Sequence, residues 1–377
     1  MQGTVRWTGR AMLLVLAGAL AARAGPPGES VSAPLKSVPL DSGNSVVSKT
    51  DVAAAQPRIL DDFLIPSLEV QFSPVVKEYG LTIAGQKVAI VSTDDGFIVK
   101  GDSGQTALHK NGVGLATIAL PIPSAQKYFL AFPYGYSSAE RGLLMVRGGG
   151  TVQCQIDGQT VMFYDDNLDG RYALADDSFR VGCADAPIDV FAPLSEFFST
   201  GRSIYQIDSL AEDGTALQYS SYRGATGKLS IAGPSSSDWA MVVALANSNG
   251  QMNLVSEAGG SSADSLAVIP GQYKLLYGGV FAKKTGTLIA LVAPGSLPAV
   301  EVAADQTQTV QLGGSLHLEF TVNTPAADQI GIQPASIHVK GKAGEEYTAV
   351  NFDRSKPPEV FISRGGAKVS LGKMTFT

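Results

Sequence analysis

Short apolar runs separated by turn residues make up most of the chain from about Leu68 onward. Examples are KVAIVS at 87–92 and LLMVR at 143–147. Runs of roughly four to eight residues, rich in Val, Ile, Leu and aromatic side chains, are typical of strands. Turn residues recur roughly every eight to twelve positions, which is the spacing expected of β-sandwiches or barrels.

This pattern predicts an all-β fold of two or three sandwich-like domains, built from mostly antiparallel strands with one short helix. The helix is expected at 193–198, which reads PLSEFF. Besides the two runs quoted above, strands are expected at 80–85, 97–100, 115–120, 128–132, 152–156, 160–164, 179–182, 240–246, 273–277, 288–292, 309–312, 316–322, 337–340, 347–352, 360–363 and 368–376.

One hairpin signal leads directly into an acidic loop. Strand-like runs at 152–156 and 160–164 flank Asp157-Gly158, a dipeptide that favours a two-residue hairpin turn. The acidic loop follows at once, and the next strand is expected at 179–182. The loop is therefore predicted to lie between strands.

The N-terminal segment has the organisation of a signal peptide. MQGTVRWTGR carries Arg6 and Arg10, and AMLLVLAGALAA then forms an apolar core too short for a permanent membrane span. The small-x-small pattern Ala22-Arg23-Ala24 suits cleavage after residue 24. The alternative is a membrane anchor. The segment predicts export to the periplasm, the cell surface or the medium, with no integral membrane segment after cleavage.

Composition shifts suggest the remaining boundaries. Residues 25–58 are rich in Pro, Ser, Ala and Gly without a sustained period, and we interpret them as a flexible linker. An N-terminal β domain is expected at 59–205 and a β-sandwich at 206–325. The strands at 326–377 are expected to complete the second domain.

A second motif lies in the predicted sandwich. The stretch IPGQYKL at 269–275 is followed by VEV at 300–302 and DQTQTV at 305–310. This arrangement resembles the carboxypeptidase-regulatory (transthyretin-like) β-sandwich around 269–312. The resemblance implies a small sandwich that serves as a structural or binding module.

The charge of the chain is unevenly distributed. Removal of Arg6, Arg10 and Arg23 with the signal peptide leaves 25 basic and 34 acidic residues, a net charge of −9. Residues 157–189 hold eight Asp, two Arg and no Lys or Glu, a local charge of −6. An acidic protein lacks the cations that replace phosphate counterions, so nucleic acid is excluded as a partner.

The chain has two cysteines, Cys154 and Cys183. Exported proteins with a low, even number of cysteines usually pair them. A disulfide between these two would enclose the acidic loop and stabilise the fold by roughly 3–4 kcal/mol. The alternative is two unpaired cysteines in the core.

The acidic loop, DDNLDGRYALADD at 165–177, has the spacing of a calcium-binding loop. A twelve-residue loop supplies oxygen ligands from alternating positions. The candidate ligands are the side chains at positions one, three, five and twelve and the carbonyl at position seven. They are Asp165, Asn167, Asp169, Asp176 and the backbone of Arg171. Gly170 is at position six, where the chain bends sharply and often needs positive φ.

These residues resemble the EF-hand loop, and more closely its dockerin version, which also ends in Asp. The resemblance implies a calcium ion. Two features depart from it: Ala173 at position nine has no ligating side chain, and the flanks are predicted strands rather than helices. The general layout also resembles secreted bacterial-type β proteins with a D-x-N-x-D-G hairpin. The alternative is a hairpin loop whose side chains cap its own backbone.

Catalytic motifs are missing from the sequence. His109, His317 and His338 are widely spaced, and the chain contains no H-E-x-x-H, G-x-S-x-G or Walker sequence. We therefore expect an exported, non-enzymatic structural or adhesive protein with a calcium-stabilised hairpin loop. Its expected partner is a surface polysaccharide or another exported protein. Two alternatives stay open: a secreted carbohydrate-active hydrolase with paired carboxylates, and a dockerin-like interaction module.

Overall fold

The structure, a computed structural model, describes most of the second half of the chain and separate segments of the first half. The described residues are 29–39, 46–47, 68–71, 78–83, 86–93, 96–101, 104–109, 115–119, 127–131, 143–148, 150–166, 169–174, 176–182, 189–233, 237–259, 265–285, 288–326, 329–332, 336–349, 359–364 and 367–373. The predicted signal peptide at 1–24 lies outside these residues.

The described chain forms strands and no α-helix, so the predicted all-β class is confirmed. The first strands are β1 (Val31–Pro34), β2 (Lys36–Pro39), β3 (Val46–Val47), β4 (Leu68–Gln71), β5 (Glu78–Ile83), β6 (Gln86–Thr93), β7 (Gly96–Gly101), β8 (Gly104–His109), β9 (Leu115–Ala119), β10 (Lys127–Ala131) and β11 (Leu143–Gly148). The middle strands are β12 (Gly150–Ile156), β13 (Gln159–Tyr164), β14 (Ser178–Val181), β15 (Asp189–Val190), β16 (Ala192–Pro193), β17 (Phe197–Ser199), β18 (Ile204–Leu210), β19 (Ala216–Ser221), β20 (Gly227–Ala232), β21 (Trp239–Asn247), β22 (Asn253–Ala258) and β23 (Leu266–Val268). The last strands are β24 (Gly271–Ala282), β25 (Leu288–Ala293), β26 (Val300–Val302), β27 (Thr307–Gln311), β28 (His317–Glu319), β29 (Val322–Ala326), β30 (Gln329–Ile332), β31 (His338–Lys340), β32 (Glu346–Ala349), β33 (Glu359–Arg364) and β34 (Ala367–Lys373).

Most strand pairs in the sheets are antiparallel. An eight-stranded sheet has the order β22-β21-β24-β25-β32-β31-β28, with β26 also paired to β24. A five-stranded sheet has the order β16-β14-β13-β12-β2, and a four-stranded sheet has the order β1-β19-β18-β17. A three-stranded sheet has the order β23-β20-β27, and its β20–β27 pair is parallel.

The remaining sheets among the described residues have two or four strands. Two four-stranded sheets have the orders β5-β6-β7-β8 and β4-β11-β10-β9. The pairs β29-β30 and β33-β34 are antiparallel two-stranded sheets, and β3 pairs in parallel with β15. The strands predicted at 97–100 and 143–147 lie within β7 and β11, and the one predicted at 80–85 overlaps β5 at residues 80–83.

Two hydrophobic cores lie between the central sheets. The first joins Val161, Phe163 and Phe179 of the hairpin sheet to Val242 and Phe281 of the eight-stranded sheet. The predicted domain boundary between residues 205 and 206 falls inside β18, and this core draws side chains from both sides of it. Residues on both sides of that position therefore share one hydrophobic core, and the division into domains stays a prediction.

The second core lies between the other face of the eight-stranded sheet and β20, β23 and β27. Its members include Met241, Val243 and Leu245, which alternate along β21 with the first-core residues Val242 and Ala244. Strand β21 is thus buried on both faces, which explains its continuous apolar sequence.

The helix predicted at 193–198 is wrong, because β16 and β17 lie there instead. Phe198 packs into the first core and Phe197 into the second, and this two-residue alternation requires an extended chain. Backbone partners come from distant strands: Leu194 N–H donates to Asp177 O at 2.7 Å, and Phe197 N–H donates to Gln251 O at 3.0 Å. Ser195 Oγ accepts the N–H of Asn253 at 2.8 Å.

The predicted flexible linker also differs from the structure between residues 31 and 39. Strand β1 pairs with β19, and β2 pairs with β12. Two neighbouring segments therefore extend two different sheets. The two sheets offered open edges, and backbone pairing does not require an apolar side-chain pattern.

Candidate metal site

The acidic loop connects β13 to β14, and these two strands position its first and last carboxylates. Inward-facing Val161 and Phe163 of β13 and Phe179 of β14 belong to the first core. Side chains alternate along a strand, so Asp165 and Asp177 continue the same inward-facing rows. Their exposed fractions are only 1% and 0%, respectively.

Asp177 ties the two sides of the loop together. Its Oδ1 accepts the N–H of Asp166 at 3.1 Å, and its Oδ2 accepts the N–H of Ala173 at 2.7 Å. The N–H of Asp177 donates to Ala173 O at 3.3 Å. One carboxylate therefore organises the loop's backbone at both ends.

Asp165 and Gly170 form the turn at the start of the loop. Gly170 has φ of 77°, and its N–H donates to Asp165 Oδ2 at 2.9 Å. The other oxygen of Asp165, Oδ1, is also buried. The next residues add a smaller turn, because Arg171 N–H donates to Asp169 Oδ1 at 2.8 Å.

Acidic groups in the loop perturb one another. Burial raises the pKa of Asp177 to about 7, the N–H donors of Ala173 and Asp166 oppose the rise, and the charges of Asp165 and Asp169 add to it. Burial, and after it the charges of Asp165 and Asp177, raise the pKa of Tyr172 well above its usual range. The loop therefore has a strongly negative, poorly solvated interior.

A third buried carboxylate lies on the face of the hairpin that points away from the first core. Asp166 is 7% exposed, and its Oδ2 accepts the hydroxyl of Ser178 at 2.8 Å. Beside it, the rings of Tyr164 and Phe191 stack with centroids 5.0 Å apart. The loop thus adds acidic groups to both sides of the hairpin.

The predicted ligands occupy different environments. Asp165 is buried, and Asp169 is exposed but turns back on the loop. Arg171 is exposed, with its side chain 3.4 Å from Glu212 on the surface. Asp176 is exposed, and Asn167 lies outside the described residues.

Asp177, which the motif did not select, is the buried acid at the end of the loop. The motif counts twelve positions and therefore stops at Asp176. Strand alternation contained a signal for Asp177, because Phe179 lies two residues further on and points into the core. Because strands flank the loop, the acid that faces the core is Asp177, one position after the last residue of the motif.

The loop offers the oxygen donors of a calcium site, but its buried carboxylates accept hydrogen bonds from the loop's own backbone N–H groups. Carboxylate and carbonyl oxygens are the ligands that calcium prefers. Among the described residues, no group of three or more His, Cys, Asp or Glu side chains is arranged to hold a metal ion. Carboxylates that cap backbone N–H groups in the structure are the groups that an ion would recruit.

The predicted disulfide would lie beside this loop. Cys154 of β12 is a free, half-buried thiol, and burial raises its pKa to about 11. Cys183 lies outside the described residues. The Cys154–Cys183 pairing therefore stays a prediction.

A separate cleft of about 620 Å³ lies between β14, the β17–β18 turn and β22. Charged groups around it include Arg202, Glu257 and Lys283. Glu257 is the one carboxylate among the described residues that line it.

Two findings concern features beyond this loop. In the part that the structure describes, no helix has the length and apolar character to cross a membrane. No protein-family model, curated protein or solved structure matches the chain. The EF-hand, dockerin and transthyretin-like resemblances therefore stay expectations from the sequence.

Proposed function

We propose that the protein is an exported, non-enzymatic structural or adhesive β protein whose 165–177 loop binds calcium and thereby stabilises the hairpin of β13 and β14. The observation that carries the proposal is the burial of Asp165 and Asp177 side by side. Two carboxylates in one poorly solvated site repel each other, and a proton or a cation must offset that repulsion.

The proposed ligands are the carboxylates of Asp165, Asp169 and Asp177, with the carbonyl of Arg171 and the side chain of Asn167. Asp177 replaces Asp176 as the terminal acid, because Asp177 is buried opposite Asp165 at the end of the loop, whereas Asp176 points away from Asp165 into solvent. The positive φ of Gly170 supports the bend that such a loop requires. Affinity in the range of roughly 10⁻⁴–10⁻³ M is expected for an extracellular module of this kind.

Burial favours a structural role over a catalytic one. Asp165 and Asp177 are closed to solvent, so a polysaccharide cannot reach them in this conformation. The dockerin-like alternative expects helices beside the loop, whereas β13 and β14 are strands. Exported structural modules need only a rigid fold and a contact surface, and the calcium loop supplies rigidity.

Melting curves of the chain without residues 1–24 in calcium and in EDTA test this proposal. We expect calcium to raise the midpoint, with saturation at millimolar concentration, and calorimetric titration to give heat. Magnesium at the same ionic strength is the control, because it dehydrates reluctantly and demands octahedral geometry. Equal midpoints in calcium and EDTA, together with no heat of titration, would contradict the proposal.

A further inference from the structure

Strand β28 is one end of the eight-stranded sheet. Its residues pair with β31 on one side, from His317 with Lys340 to Glu319 with His338. Among the described strands it has no other partner. An edge strand of this kind presents backbone N–H and C=O groups that can pair with another chain.

An apolar stripe follows this edge. Leu318 of β28 and its flanking residues Leu316 and Phe320 are 61%, 57% and 47% exposed, and their two-residue spacing places them on one face of an extended chain. Leu318 lies opposite Val339, and Val339 lies opposite Tyr347, which packs against the second core. The stripe therefore lies on the same face of the sheet as the second core, beyond the strands that cover that core.

The other face of the same edge is charged. Glu319 lies 3.4 Å from His317 Nε2 and 2.6 Å from Lys340 Nζ. Lys340 also lies 3.9 Å from Glu346, which is 3.4 Å from His338 Nδ1. Acidic and basic groups thus alternate across β28, β31 and β32. A strand added beside β28 could continue this alternation.

We propose that two copies of the chain pair their β28 strands antiparallel, about a two-fold axis at Leu318. This register sets Leu318 against Leu318 of the second copy and Leu316 against Phe320. On the other face it sets His317 of each copy against Glu319 of the other, which gives two pairs of complementary chemistry across the axis. The two eight-stranded sheets become one continuous sheet.

Neighbouring registers are less favourable. A centre at His317 sets the two His317 rings against each other, and a centre at Glu319 sets the two carboxylates against each other. Like charges directly opposite each other destabilise a strand pair. A register that pairs Leu318 with His317 or Glu319 of the second copy would place the two apolar stripes on opposite faces of the joined sheet.

A second copy fits this edge because the strand supplies its own complement. A closed two-fold contact uses the same patch on both copies, which is the usual form of a homodimer. The contact involves about five residues of each chain, so it belongs with small, transient interfaces. We expect a dimer dissociation constant on the order of 10–100 µM.

Sedimentation equilibrium between roughly 1 and 500 µM measures this association. The mass should rise with concentration toward twice that of the chain, in calcium and in EDTA alike, so a failure of the calcium proposal leaves this result unaffected. Leu318→Lys should raise the dissociation constant at least about tenfold, because it places two cations at the axis. Ile289→Lys is the matched control: it changes another exposed apolar residue of the same sheet, on β25, and should leave the constant unchanged.

A charge exchange tests the register. His317→Glu sets acid against acid and should weaken the dimer, and so should Glu319→His, which sets His against His. The double variant restores complementary pairs between the copies and places an acid opposite Lys340, so it should restore dimerisation. A mass that stays monomeric at 500 µM overturns the proposal. A double variant no better than the single ones overturns the register.

Cross-linking gives a direct readout of the axis. Leu318→Cys places the new thiol opposite its own copy, and mild oxidation should link two chains through residue 318. Leu316→Cys alone should link slowly, whereas a mixture of Leu316→Cys and Phe320→Cys chains should link to each other. Mass spectrometry of the linked peptides separates these products from those of Cys154 and Cys183. Efficient 316–316 linkage would contradict the two-fold pairing.

Discussion

Asp165 and Asp177 face each other where β13 ends and β14 begins, one position beyond the Tyr164–Ser178 pair, and both are buried. The strands position these residues, because they continue the rows of Phe163 and Phe179. The core below the loop therefore holds two acids together in a site with little water. Their mutual repulsion helps to raise the pKa of Asp177, and we expect it to make the loop sensitive to cations as well.

Asp177→Asn should remove most of the calcium-dependent rise in melting midpoint. The substitution keeps the shape of the side chain but removes the charge that the ion would neutralise, so the apparent affinity should fall by about tenfold or more. Asp176→Asn is the matched control, since it makes the same change at the exposed neighbouring residue. Calcium and EDTA melting curves of both variants provide the measurement. Equal losses in the two variants would contradict the assignment of Asp177.

The stability of the metal-free protein should fall as pH rises from about 4 to about 7. The pKa of Asp177 is about 7 in the folded protein and 3.8 ordinarily, so the folded state binds more protons within that window. Stability declines with pH wherever the folded state binds the extra proton. Urea unfolding in EDTA, compared with Asp177→Asn, isolates this contribution. The prediction would be refuted if the unsubstituted protein gained stability relative to Asp177→Asn as the pH rises through that window.

Gly214→Ala should disturb the base of the loop. A Cβ at this residue would lie 2.6 Å from Cε2 of Tyr172, and φ is +69°. Strain and overpacking together should cost about 3–4 kcal/mol. Gly250→Ala is the control, because its φ is +73° with open space around the new Cβ. It should cost about 1–2 kcal/mol. Chemical denaturation measures the free energy of unfolding of both variants. Similar losses would show that the Tyr172 ring moves aside at no cost in stability.

Ser195→Ala should destabilise the extended segment between β16 and β17, where a helix was predicted. Ser195 Oγ donates to Phe197 O at 2.9 Å and accepts from Asn253 N–H, so its removal leaves a buried N–H without that acceptor. The expected loss is about 1–3 kcal/mol. Ser209→Ala removes an exposed hydroxyl that bonds to Gln218 and should change stability by less than about 0.5 kcal/mol. Equal effects of the two substitutions would argue against the bridging role.

The Cys154 thiol should react slowly with iodoacetamide in the folded protein. Its pKa of about 11 leaves little thiolate at pH 8, so alkylation should be at least about tenfold slower than in the unfolded chain. Cys154→Ser identifies the labelled site. An unfolded, unreduced sample with no reactive thiol would instead establish the disulfide with Cys183.

Local chemistry allowed the hairpin to be predicted from sequence. Strands at 160–164 and 179–182 required only alternating apolar residues. Asp157-Gly158 forms the expected turn with φ of 52° and 74°. These features depend on neighbours along the chain, and residues a few positions apart carry the necessary information. The acidity of the loop was equally visible.

Contacts between distant residues decided the rest. Phe197 and Phe198 form a strand because two cores, built from other sheets, lie on either side of them. Residues 31–39 form strands because β19 and β12 offer open edges. Asp177, rather than Asp176, points inward because the register of β13 and β14 sets the direction of each side chain. The sequence by itself determined the strand content and the acidic loop, whereas tertiary packing determined which acids are buried together, since burial depends on the core that distant strands supply.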